Sequence, residues 1–185
     1  MIQIRTWVTI QYIFVNCYNT KMNKQRLTTA ILVSAYFIYY TMTYKDWHFL
    51  DSANLIIHEA GHIVFIPFGL FMTILGGSLL QILFPILFAI YFYRQQQYFS
   101  ASLLLFWIGQ NILNISVYAA DAIVMQLPLL GGDNAGHDWN NLLAMTDTLK
   151  YTDIIGKIIY TIGIIVILLA IFASLINSSA DKKTT

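Results

Sequence analysis

The residues of this chain best suited to chemistry are His58, Glu59 and His62, which form the run His58-Glu59-Ala60-Gly61-His62. On a helix, residues four apart lie one turn apart on the same face, so both imidazoles can turn a ring nitrogen toward one metal ion. Glu59 is offset by roughly 100° around the helix, where its carboxylate reaches the water that such an ion activates rather than the ion itself. The H-E-x-x-H pattern therefore predicts two ligands, His58 and His62, a general base, Glu59, and one zinc ion per chain.

The surroundings sharpen this reading. Glu59 is the only glutamate in the sequence, and residues 60–93 contain no Asp, Glu, Lys or Arg. An ionisable side chain in an apolar membrane segment is costly, and by default it marks a functional site. Cys17 is the only cysteine, so no cysteine zinc site can form and the remaining ligand must come from His, Asp or Glu. Catalytic zinc takes three protein ligands and leaves one position open. Asp121 is the preferred third ligand, because it ends a polar stripe of Asn111, Asn114 and Tyr118 at helical spacing in an otherwise apolar run. His137 and Asp138, in a glycine-rich stretch further on, are the alternatives. Asn111 or Asn114 is placed to donate to a developing oxyanion or to hold a substrate backbone. One difficulty accompanies Asp121: if the spans simply alternate, it lies at a different depth from His58.

These residues must be positioned by helices in an apolar setting. Of 185 residues 58% are hydrophobic and only 10% charged, and the mean hydropathy is +0.64, far from the soluble norm. The expected fold is an all-α polytopic membrane protein, a bundle of about five transmembrane helices with the metal site between helices. Spans are expected at residues 27–43, 53–68, 78–93, 98–123 and 154–176. Gly76-Gly77 reads as a joint before the third span, and Pro85 as a kink within it. Residues 125–141 read as a loop covering the site, followed by a short interfacial helix near 142–152, and His48 as an interfacial residue. Asp51 or Ser52 is expected to cap the motif helix.

In domain terms, residues 1–21 read as an N-terminal extension before a start at Met22, residues 22–176 as one membrane-embedded metallopeptidase-like domain, and 177–185 as a polar, frayed tail. Lys21, Lys24 and Arg26 place the N-terminus in the cytoplasm. A net charge of +1 with scattered basic residues excludes a nucleic-acid surface. Two histidines on one side of one helix also cannot clamp opposite faces of a haem.

At His58-Glu59-Ala60-Gly61-His62, followed by further apolar spans and a late aspartate, the chain resembles the intramembrane zinc metalloproteases of the site-2 protease class. Gly61 also matches that family's common H-E-x-G-H form. Asp121 departs from its pattern, being followed by Ala122 with no neighbouring Gly or Pro. The resemblance implies zinc held by His58 and His62, Glu59 as the catalytic base, and a membrane protein or peptide substrate cleaved within or beside the bilayer. Two alternatives stay open: a zinc-dependent membrane hydrolase of a lipid or another amide, which would use the same residues, and a non-catalytic membrane scaffold, which would not need Glu59.

Overall fold

The computed structural model describes residues 23–127 and 136–179, and within these the fold is all-helical. The N-terminal extension with Cys17 and the start at Met22, the glycine-rich centre of the 125–141 stretch, and the last six residues of the tail lie outside the described residues. Six α-helices follow in order: α1 Lys24–Met42, α2 Phe49–Phe65, α3 Leu70–Arg94, α4 Tyr98–Ala120, α5 Asp138–Met145 and α6 Thr152–Ile176. Asn23 caps α1, its side-chain oxygen accepting from the N–H groups of Gln25 and Arg26 at 3.1 and 3.3 Å. His48 precedes α2, and Asp51 in the first turn accepts from the His48 N–H at 2.7 Å.

Among the described residues, three helical stretches are long and apolar enough to cross a membrane: Leu70–Arg94, Tyr98–Ala120 and Leu149–Ile176. The last includes the 3-10 turn Leu149–Tyr151 that leads into α6. α1 and α2 fall outside this group. α1 opens on Lys24, Gln25 and Arg26, and α2 has 17 residues that include Asp51, Asn54, His58, Glu59 and His62.

α4 is the central post. It runs parallel to α1, with Phe37 stacked on Phe106 at 5.1 Å and the Gln110 amide donating to the Tyr40 hydroxyl at 3.0 Å. It runs antiparallel to α3, with Gln81 bonded to Asn114 and Phe84 edge-on to Trp107. It is antiparallel to α6 as well, where Gly109 packs on Ile167 and Gly163 on Leu113. Phe37, Tyr40, Phe106, Leu113, Ile167 and Ala170 form the buried apolar core. The first tail residues are docked rather than frayed: Ser178 is fully buried and its carbonyl accepts from the Asn23 N–H at 3.2 Å.

α3 corrects one local expectation. It is one continuous helix of 25 residues through Gly76, Gly77 and Pro85, with no joint before Ser78. The two glycines are required by the close approach of α2: a Cβ on Gly61 would collide with the carbonyl of Gly76, and one on Gly76 would stand 2.7 Å from the carbonyl oxygen of Gly61. Small residues let helix backbones approach in this way where apolar driving forces between helices are weak.

Candidate metal centre

α2 presents His58 and His62 one turn apart, with ring centroids separated by 4.9 Å. The third member of the cluster is Asp138, the first residue of α5. Its Oδ2 lies 2.8 Å from His58 Nε2 and 3.3 Å from His62 Nε2. Donor atoms of His58, His62 and Asp138 all fall within 4.8 Å of one another. Ligands at zinc bond lengths of 2.0–2.1 Å in tetrahedral geometry stand roughly 3.3 Å apart. The His62 spacing meets that value, and the His58 spacing needs to open by about half an ångström.

The other ring nitrogens settle which atoms are available. His58 Nδ1 faces Gln81 Oε1 at 3.2 Å, and His62 Nδ1 faces the carbonyl oxygen of Thr73 at 2.8 Å. Both partners are acceptors, so each Nδ1 carries the hydrogen and donates. In the neutral form each imidazole then has its lone pair on Nε2, and the two Nε2 atoms converge on one carboxylate oxygen. Two imidazole nitrogens and a carboxylate oxygen facing one point are a donor set that fits zinc.

Asp138 is held from several sides. Its backbone N–H donates to the Tyr118 hydroxyl at 3.0 Å. Trp139 Nε1 donates to Ser78 Oγ at 3.2 Å, and Asn140 Nδ2 to the Ala122 carbonyl at 2.8 Å, tying α5 to α3 and to the end of α4.

Asp121 and His137 are elsewhere. Asp121 accepts from the N–H groups of Gln126 at 3.0 Å and Leu127 at 2.9 Å, so its carboxylate closes the turn after α4 and does not join the two histidines. The preference for Asp121 as third ligand is corrected accordingly, in favour of Asp138. His137 is the N-cap of α5: its Nδ1 accepts from the Asn140 N–H at 3.2 Å, which puts its hydrogen on Nε2. That Nε2 is buried 3.4 Å from Asp121 Oδ2 and lacks a well-formed hydrogen bond. α5 thus begins inside the stretch expected to be loop, because His137 can cap a helix there. The depth difficulty disappears with Asp121, since α5 folds back onto α3 and α4 to deliver Asp138.

The two asparagines are also placed differently from expectation. Asn111 is fully buried, donates to its own helix at the Trp107 carbonyl at 3.0 Å, and does not line the cavity. Asn114 does line the cavity, but its oxygen accepts from Gln81 at 2.9 Å and its nitrogen donates to Asp51 at 3.1 Å. Neither is poised as an oxyanion donor.

The cluster opens into a cavity of about 430 Å³ lined by Glu59, His58, His62, Asp138, Tyr118 and the α1–α2 connection from Tyr44 to Trp47. Glu59 is exposed to this space, and its carboxylate makes no hydrogen bond or ion pair among the described residues. His48 is not part of the site; its Nε2 sits 3.0 Å from Thr43 Oγ1. Sequence reasoning missed Asp51 and Gln81 as site-supporting residues. The available signal was one buried-type polar residue, Gln81, in the uncharged stretch 60–93. Comparison with protein-family models, curated proteins and solved structures gives no significant match.

Proposed function

We propose that this chain is a membrane-embedded zinc-dependent peptidase, resembling the site-2 protease class at its motif, with His58, His62 and Asp138 as ligands and Glu59 as general base. The observation that carries the reading is the convergence of His58 Nε2 and His62 Nε2 on Asp138 Oδ2 beside the unpaired Glu59 carboxylate. Zinc bound there would supply Lewis-acid polarisation of a substrate carbonyl and of the attacking water. Glu59 accepts the proton of that water and returns it to the departing amine, which requires a carboxylate free of other partners. The buried His58 imidazole and the first turn of α5 would shield one side of the reacting centre from bulk water, while the cavity lined by Tyr44–Trp47 would admit an extended substrate.

The proposed setting is a multi-pass integral membrane protein with the Lys24 and Arg26 end cytoplasmic. α1 and α2 complete the embedded bundle around α3, α4 and α6. The outward faces support this: Ile31, Leu32 and Ile38 on α1, and Ile56, Ile63 and Val64 on α2, are exposed apolar side chains that lipid would cover.

The deciding experiment is elemental analysis of purified protein, combined with mass spectrometry of products after incubation with membrane peptides and with lipids. About one zinc per chain and cleaved peptide bonds support the reading. Cleaved lipid would move the substrate class while keeping the site, and metal-free, inactive protein would overturn both.

A further inference from the structure

Resting on that reading of the site, we propose that Gln81, Asn114 and Asp51 form a directional hydrogen-bond relay that fixes His58 with Nε2 as its metal donor. The links are continuous. His58 Nδ1 meets Gln81 Oε1 at 3.2 Å, Gln81 Nε2 donates to Asn114 Oδ1 at 2.9 Å, and Asn114 Nδ2 donates to Asp51 Oδ1 at 3.1 Å. The residues lie on three different helices, α2, α3 and α4, so the relay also records their mutual placement.

Its direction is forced from the far end. Asp51 is 2% exposed and surrounded by donors: besides Asn114, Gln110 Nε2 donates to Oδ1 at 2.7 Å, the Tyr40 hydroxyl to Oδ1 at 3.1 Å, and the His48 N–H to Oδ2 at 2.7 Å. A carboxylate so placed only accepts. Asn114 must therefore turn its nitrogen to Asp51, which turns its oxygen to Gln81. Gln81 must then present nitrogen to Asn114 and oxygen to His58. At the last link His58 can only donate from Nδ1, so that in the neutral ring the lone pair is on Nε2, the atom facing Asp138. Gln110 is held in turn by accepting from Asn54 Nδ2 at 2.7 Å, and Asn54 by accepting from Trp107 Nε1 at 2.8 Å.

A buried polar network with every link satisfied is rigid, and partners of metal-bound histidines tune affinity. Gln81, Asn114 and Asp51 are thus positioning residues that act through His58. The test measures zinc affinity by chelator competition on the purified full chain, with the visible absorption of the cobalt-substituted protein and the unfolding temperature of the metal-free protein alongside.

Gln81→Met, which keeps length but removes the acceptor, is expected to weaken zinc binding by about 10–100-fold. Asn114→Leu, which touches neither metal nor His58, is expected to weaken it less, by several-fold, and to shift the cobalt spectrum because Gln81 is free to turn. Gln81→Glu restores the acceptor and should recover part of the loss. Parent-like affinity in both Gln81→Met and Asn114→Leu, or losses that follow metal-free stability with an unchanged cobalt spectrum, would overturn the relay while leaving the peptidase reading in place. A parent protein that takes up no zinc would overturn both.

Discussion

Gly77 lies so close to His58 that a Cβ on the glycine would stand 2.5 Å from the imidazole Nε2. The motif histidine is thus seated against the bare backbone of α3, and the glycine sets the space available to the ring. Gly77→Ala should push the imidazole away from Asp138 and weaken zinc binding at least tenfold, on top of the roughly 1–3 kcal/mol that overpacking costs. Zinc titration of this variant with parent-like affinity would show that the ring has room to spare.

Replacing His58, His62 or Asp138 with Ala should each strip zinc from the purified protein, whereas Asp121→Ala should retain it. Asp121→Ala loses its bonds to the Gln126 and Leu127 N–H groups and its contact with His137 Nε2, at a cost to stability of about 1–3 kcal/mol. Elemental analysis of the four variants separates the two aspartates; zinc lost with Asp121 and kept without Asp138 would exchange their roles.

Glu59→Gln should keep stoichiometric zinc and lower peptide hydrolysis about a hundredfold or more, because the amide has the shape of the carboxylate but accepts no proton at neutral pH. Turnover within about tenfold of the parent would remove Glu59 from the role of base.

His137→Ala should cost about 1 kcal/mol through loss of the α5 cap and loosen Asp138, the next residue, so that zinc affinity falls while one ion per chain is still bound at saturation. His137→Asn supplies another good capping oxygen and should restore most of the affinity. Equal affinity in all three proteins, measured by chelator competition, would show that Asp138 is held without the cap.

The motif was legible because one-turn spacing is a local property of a helix, and α2 delivers it. The third ligand was not, because Asp121 and Asp138 both look costly to bury in an apolar chain, and what separates them is not local. Asp121 finds two backbone N–H groups in the turn that follows it, while Asp138 is brought back by docking of Trp139 on α3 and of Asn140 on the turn after α4. Gly76-Gly77 failed in a similar way. Taken locally, paired glycines suggest a hinge; their actual role is defined by Gly61 and His58 on another helix. The stripe through Asn111 and Asn114 was placed on the right helix, but the amides were assigned to a substrate when their partners are Trp107, Gln81 and Asp51.

The bond from Asn23 to the Ser178 carbonyl joins the start of α1 to the end of α6 at one face, and this has a consequence of parity. A path that begins and ends on the same side of a layer has gone through it an even number of times. Where α3, α4 and α6 each go through once, α1 and α2 together would contribute one passage, for a total of four. α1 climbs beside α4 as far as Tyr40 opposite Gln110, and α2 continues from Asp51 until Gly61 meets Gly76. In that arrangement the motif helix would be the second half of a broken span, and its connection through Tyr44–Trp47, which lines the cavity, would lie part-way through the layer. An impermeant thiol reagent applied to one side of sealed vesicles should label cysteines introduced at Asn23 and Ser179 together or not at all.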